Sequence, residues 1–342
     1  MGNRDAEIAE KIAALKKKRN AVILVHNYQL GEVQDIADFV GDSLELSQNA
    51  AKTGADVIVF CGVHFMAETA SIICPGKVVL LPDINAGCPM ADMITAERLR
   101  AMKKKHPGAL VVCYVNSTAE VKAESDICCT SANAVEIVGG LDARKIIFVP
   151  DQYLGHYVSA RTGRKMILWP GFCPTHVRIR PERIRELRQE YPQAKVVVHP
   201  ECTPEVIALA DEVASTSGMC RYARRDDVRE MVVGTEIGLI HRLRKENPGK
   251  RFIPVSEQAI CPSMKLITLE KVLSSLEDMS PEVKVPEQIR LRAMAAVDKM
   301  LEGKSRIKGQ EPKCKKRSAR LQPRARAELR DLRKPRYGTN VM

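Results

Sequence analysis

"AEKIAALKKKRNAVILVHNYQ", residues Ala9 to Gln29, runs from a charged amphipathic helix through a short turn into a Val/Ile-rich strand that ends in polar residues. The same pattern returns as "AERLRAMKKKHPGALVVCYVN" from Ala96 and as "PERIRELRQEYPQAKVVVHPE" from Pro181. The glutamates Glu10, Glu97 and Glu182 stand 87 and 85 residues apart, so the chain repeats with a period near 86.

Other features keep that step. "DFVGDS", "DICCTS" and "DEVASTS" end at Ser43, Ser131 and Ser217, 88 and 86 residues apart, each reading as a short apolar strand that runs into a helix N-cap. The strands "DVIVF", "KIIFV" and "EMVVG" follow in order, and then "GKVVLLPDINAGCP", "GRKMILWPGFCP" and "GKRFIPVSEQAICP". Their cysteines, Cys88, Cys173 and Cys261, are separated by 85 and 88 residues. Cys74 also precedes a proline, yet it lies 14 residues before Cys88 and has no counterpart. Each repeated cysteine is followed nine residues later by a helix-opening glutamate, Glu97, Glu182 or Glu270, so "LEKVLSSL" repeats the opening helix once more.

Strands alternating with helices imply an α/β fold of three similar αβα units, each with a small parallel sheet and right-handed crossovers; if these units pack around a pseudo-threefold axis with their strand ends inward, one central cavity collects the repeated features. The expected boundaries are 1–95, 96–180 and 181–302, the last including closing C-terminal helices, followed by a basic, disordered tail at 303–342. The net charge of +12 belongs almost wholly to that tail, which holds 14 Lys/Arg against 3 Asp/Glu. The body is near neutral, which argues against nucleic acid as its main partner. The amino-terminal stretch lacks a signal-peptide core and no apolar run nears the roughly 18 residues needed to cross a bilayer. A cytoplasmic protein without a membrane partner is expected, and its 11 cysteines are expected as thiols, most of them small core residues.

In parallel α/β sheets, ligands gather beyond the carboxyl ends of the strands. The repeated polar features fall there: His26, Asn27 and Tyr28, then Tyr114 and Asn116, then His199 and Glu201, with the serine turns and the three cysteines. Three thiolates around one axis suit a metal centre, and two candidates compete, zinc with an open position and a [4Fe–4S] cluster with one free iron. A third reading makes the cysteines duplicated core residues. Ser43, Ser131 and the "STSG" of Ser215 to Gly218 read either as ordinary N-caps or as anion-binding helix starts, and His26 or His199 as core or site histidines. Two further classes stay open on these grounds: an iron–sulfur hydro-lyase, and a non-enzymatic RNA-binding or redox-sensing protein.

"VHNYQ", "GDSLELS", "NAGCPMADM", "YVNS", "GFCPTH", "VHPEC", "STSGM" and "CPSMK", in this order, resemble the quinolinate synthase family, iron–sulfur enzymes of de novo NAD biosynthesis. The resemblance covers about Ala6 to Leu301 and leaves the tail out. It implies a [4Fe–4S] cluster held by Cys88, Cys173 and Cys261, an open iron acting as Lewis acid, and condensation of iminoaspartate with dihydroxyacetone phosphate to quinolinate, phosphate and water. It also implies a functional link to L-aspartate oxidase as the source of iminoaspartate. By the same resemblance His26, Ser43, Tyr114, Asn116, Ser131, His199, Glu201 and Thr216 hold the substrates, and Glu201 and Tyr28 transfer protons.

Overall fold

The Val/Ile-rich runs form strands buried on both faces, as near-continuous apolar stretches do in parallel sheets. The computed structural model describes residues 3–302. The first sheet holds β1 (Ala21–His26), β2 (Phe39–Gly41), β3 (Val57–Cys61) and β4 (Val78–Leu80). The second holds β5 (Leu110–Tyr114), β6 (Ile127–Cys129), β7 (Ile146–Val149) and β8 (Ile167–Leu168). The third holds β9 (Lys195–Val198), β10 (Glu212–Val213), β11 (Glu230–Gly234) and β12 (Arg251–Pro254). Their spatial orders, β2-β1-β3-β4, β6-β5-β7-β8 and β10-β9-β11-β12, are the same, and the strand pairings are parallel. The fold is therefore α/β with three similar units. The basic tail expected at 303–342 lies outside the described residues.

An aspartate sets the register of the second strand in every unit. Asp38, Asp126 and Asp211 each accept, through Oδ2, the backbone N–H of a residue in the first strand: Ile23 at 2.8 Å, Val111 at 2.7 Å and Val196 at 2.7 Å. The same three aspartates donate their own N–H groups to the carbonyls of Ile23, Val111 and Val196. Each such carboxylate takes a buried strand N–H that the ladder leaves unpaired, which would cost about 1–3 kcal/mol if left so.

The helices that open the units are amphipathic in a spare way. In Ala96–Lys105 only Leu99 is buried, Thr95 caps the start by accepting the Arg98 N–H at 3.2 Å, and Lys103 to Lys105 stand at the negative end of the helix dipole. The helix Leu269–Asp278 packs against the amino-terminal helix Asn3–Lys18 and against β3. The chain then returns along β4, where Val283 N–H bonds the Val79 carbonyl, and the last helix among the described residues, Glu287–Leu301, packs on β6 and on the helices Ala119–Ala123 and His64–Ile73.

The threefold likeness of the units does not extend to the core. The first two sheets share one continuous apolar cluster, to which Met264, Val272, Leu276, Ala293 and Val297 of the closing segment also belong. The third sheet keeps two clusters of its own, one on each face. Polar bonds link it to the first sheet, among them Arg242 to Asn27 Oδ1 and to the Val40 carbonyl, both at 2.8 Å.

Candidate active site at the convergent strand ends

The residues that the resemblance assigns to the site line a single cavity of about 70 Å³: His26 and Tyr28 at and beyond the end of β1, Tyr114 and Asn116 at and beyond the end of β5, His199 and Glu201 beyond β9, Ser43, Ser131 and Thr216 at the turns, and Cys88, Cys173 and Cys261; Asn27, Ser215 and Ser217 are not among its lining residues. Chain order explains the convergence, because each of these residues follows the carboxyl end of a parallel strand and the three sheets point those ends at one another. Cys74 is elsewhere, buried with its thiol on the Ala50 carbonyl.

Glu201 is the hub. Tyr114 donates its hydroxyl to Glu201 Oε1 at 2.5 Å, while Oε2 lies 2.8 Å from His176 Nδ1 and 3.9 Å from His199 Nδ1. Burial by itself pushes the Glu201 carboxyl up, but His176 and His199, with the hydrogen bonds from His176 and Tyr114, outweigh it and hold the group below the ordinary carboxylate range. Burial pushes the Tyr28 and Tyr114 hydroxyls well above 10, and the Glu201 charge adds to it. Burial also lowers His26 and His199 to about 3, so both are neutral at physiological pH. The cavity thus holds an ionised carboxylate and two protonated phenols. No Lys or Arg is among its lining residues.

Anion-binding capacity comes from helix starts instead. Ser43 opens the helix Ser43–Lys52 and Thr216 opens Thr216–Ala223, so two positive dipole ends meet at the cavity. The expected serine caps need correcting. Asp42, not Ser43, caps the first of these helices, because a carboxylate oxygen accepts two orphan N–H groups at once, from Leu44 and Glu45. The cap of the last is Ser215 rather than Ser217, and Ser131 precedes a helix that begins only at Ala134. Ser215 donates to Asp42 Oδ2 at 2.9 Å and Ser217 to Glu45 Oε2 at 2.5 Å, which stitches the two helix starts together. Asn27 donates to Thr216 Oγ1 at 2.7 Å and so fixes the first residue of the second helix from the first sheet.

Four cavity or near-cavity groups escaped the sequence reading. His176 sits three residues after Cys173 and lies 3.1 Å from its Sγ, 2.9 Å from Thr235 Oγ1 and 3.3 Å from the Tyr28 hydroxyl. Thr235 is also 2.6 Å from that hydroxyl. Glu236, fully buried, accepts the N–H of Cys261 at 3.1 Å and pairs with Lys265 at 2.9 Å, and Lys265 in turn donates to the Tyr28 carbonyl. The signals were present: His176 ends "GFCPTH" and Lys265 ends "CPSMK". Only the contacts give them roles.

The loop of Cys173 depends on close backbone approach. A Cβ on Gly171 would fall 2.4 Å from the Pro150 carbonyl oxygen, where no side chain can give way, so Gly171→Ala must shift the loop that presents Cys173. A loss of about 1–3 kcal/mol is expected, the usual range for overpacking. A denaturant melt of the variant checks it, and an unchanged midpoint would refute the contact.

The donor set fits a metal group. Burial pushes the Cys88 thiol up to about 12 and raises Cys173 and Cys261 as well, and Lys265 offsets this only in part and only at Cys261, so thiolates at all three positions need a further cation beside them. Coordination would remove those protons outright.

Comparison with known proteins gives the chain its place. The family described as Quinolinate synthetase A protein matches residues 10–302. The quinolinate synthase of Dehalococcoides mccartyi strain CBDB1 is 66% identical over 294 residues, 86% of this chain and 97% of the relative. The chain belongs to the quinolinate synthase family. The quinolinate synthase of Methanosarcina barkeri is 58% identical over 301 residues, 88% of this chain and 99% of the relative. That of Geobacter sp. strain M21 is 58% identical over 290 residues, 85% and 95% respectively. The family match ends at residue 302, so the basic tail is no part of it. Among the described residues no helix is long and apolar enough to cross a membrane.

Proposed function

We propose that this chain forms quinolinate by condensing iminoaspartate with dihydroxyacetone phosphate, with release of phosphate and water, using a [4Fe–4S] cluster held by Cys88, Cys173 and Cys261. The observation that carries the reading is the meeting of three cysteines from three repeats with Glu201, Tyr28 and Tyr114 in one cavity. When bound, the cluster supplies a Lewis-acidic iron for the departing oxygen.

The protein's own groups do the rest. Two helix starts, at Ser43 and Thr216, attract the carboxylates and phosphate without a lysine or arginine, and His26, His199, Ser131 and Asn116 complete the hydrogen bonding as neutral groups. Neutral donors suit a reaction that releases phosphate, because they hold an anion less tightly than a fixed cation would. Glu201, ionised, is placed to take the protons that enolisation and ring closure remove, and Tyr28, protonated, to give one to a leaving group. The 70 Å³ cavity admits several waters at about 10–15 Å³ each, so both substrates require a wider opening between the third unit and the first two.

We also propose the division into units 1–95, 96–180 and 181–302 with a separate tail at 303–342, a cytoplasmic setting, and supply of iminoaspartate by an L-aspartate oxidase. The decisive assay is anaerobic purification with iron and sulfide analysis, followed by incubation with iminoaspartate and dihydroxyacetone phosphate. Quinolinate and phosphate should appear together; dehydration of a hydroxy acid without phosphate turnover would favour a hydro-lyase instead. Truncation after Gly303 is expected to leave cluster content and turnover within about twofold of the full chain while sharply lowering its pI. Loss of either on truncation would tie the tail to catalysis.

A further inference from the structure

We propose that Cys173, His176 and Glu201 form a binding site for a single divalent transition-metal ion, of the zinc type, in the chain before a cluster occupies the three cysteines. Their ligand atoms, one sulfur, one nitrogen and one oxygen, all lie within 4.8 Å of one another. His176 Nδ1 stands 3.1 Å from Cys173 Sγ and 2.8 Å from Glu201 Oε2. Metal–ligand bonds of about 2.0–2.3 Å in a tetrahedron require ligand atoms roughly 3.3–3.8 Å apart, so opening these contacts by about half an ångström seats an ion.

The atoms behind the ligands make this a built site rather than a chance cluster. His176 and Glu201 are nearly inaccessible to solvent, at 1% and 4% side-chain exposure. His176 Nε2 lies 2.9 Å from Thr235 Oγ1; when an ion takes the place of the proton that Nδ1 shares with Glu201 Oε2, donation to that hydroxyl keeps a proton on Nε2 and leaves the Nδ1 lone pair for the ion. An outer hydrogen bond of this kind is what orients metal-binding histidines. Glu201 is likewise divided: Tyr114 holds Oε1 at 2.5 Å, and Oε2 is left facing the imidazole. The ion would displace the Cys173 thiol proton to solvent and neutralise both anions. Three protein ligands leave a fourth position for water or a carboxylate.

This site shares Cys173 with the proposed cluster but uses neither Cys88 nor Cys261, so the two are mutually exclusive and separable. The test uses the full chain, purified anaerobically without iron and with its thiols reduced, titrated with Co²⁺. One Co²⁺ per chain is expected, with a thiolate-to-cobalt charge-transfer band in the near ultraviolet and the visible bands of a four-coordinate ion, displaced by Zn²⁺. Both signals should persist in Cys88→Ser and Cys261→Ser and vanish in Cys173→Ser and His176→Ala, with circular dichroism confirming that these variants are folded. Thr235→Val, which removes only the outer partner, should weaken cobalt binding about 10- to 100-fold. The proposal is overturned by absence of cobalt binding in the wild type, by charge transfer that survives in folded Cys173→Ser or His176→Ala, or by its loss in Cys88→Ser. Failure of the cluster reading is a different result, no iron–sulfur chromophore on reconstitution of the wild type with iron and sulfide, and leaves the cobalt titration unaffected.

Discussion

Cys88→Ser, Cys173→Ser and Cys261→Ser should each lose the iron–sulfur absorption and bring quinolinate formation to background, while Cys74→Ser keeps both. An alcohol is a poor ligand for iron, and the three thiols reach the cavity from three separate loops, so no neighbour in the same loop replaces a missing one. Cys74 is the internal control: it precedes a proline as the others do, but it is buried against the Ala50 carbonyl and does not line the cavity. Iron and sulfide analysis with visible spectroscopy, on protein kept anaerobic throughout, checks all four variants. If Cys74→Ser lost the chromophore and Cys173→Ser kept it, the assignment of ligands by repeat position would fall.

Glu201→Gln is expected to retain the cluster and to bind quinolinate, yet to lose turnover by roughly 10²- to 10⁴-fold, the usual contribution of a positioned acid–base group. The amide can still accept from Tyr114 at Oε1, so the variant preserves the contact at 2.5 Å and removes the charge. Tyr28→Phe should fall in the same range, because its hydroxyl, 2.6 Å from Thr235 and 3.3 Å from His176, is the group proposed to give a proton to the leaving group. Asn116→Ala separates binding from proton transfer. Its Nδ2 reaches Glu201 at only 3.5 Å and its Oδ1 has no partner within the protein, so an amide there orients a ligand, and KM should rise more than kcat falls. Single-turnover kinetics beside cluster spectra distinguish a lost cofactor from lost chemistry. Full activity in Glu201→Gln with an intact cluster would remove that carboxylate from the mechanism.

Much of the architecture was legible in the chain because it depends on local rules repeated three times. Short, β-branched apolar runs such as "AVILVH" and "KVVV" read as strands buried on both faces, and their period near 86 predicts three like sheets and the cysteines that keep step. The same regularity set Cys74 apart and placed the polar strand ends together. Even the register aspartates stood in view at the head of "DFVGDS", "DICCTS" and "DEVASTS", although their bonds to the first strand did not.

What the sequence could not determine lies between units, where repetition says nothing. Tyr28 meets Thr235 across 207 residues of chain, Tyr114 meets Glu201 across 87, and Ser215 meets Asp42 across 173. Such pairs leave no trace in periodicity, since neither partner's local pattern depends on the other. The same is true of His176, whose place among Cys173, Thr235 and Glu201 turns an ordinary loop histidine into the centre of the network. Nor does a repeat disclose how its copies share a core. The closing helices carry apolar faces that could cover any of the three sheets, and packing seats them on the first two, merging those into one core and leaving the third to polar contacts across the cavity. Local propensity and spacing determine the units; burial of the surplus apolar surface decides which of them fuse.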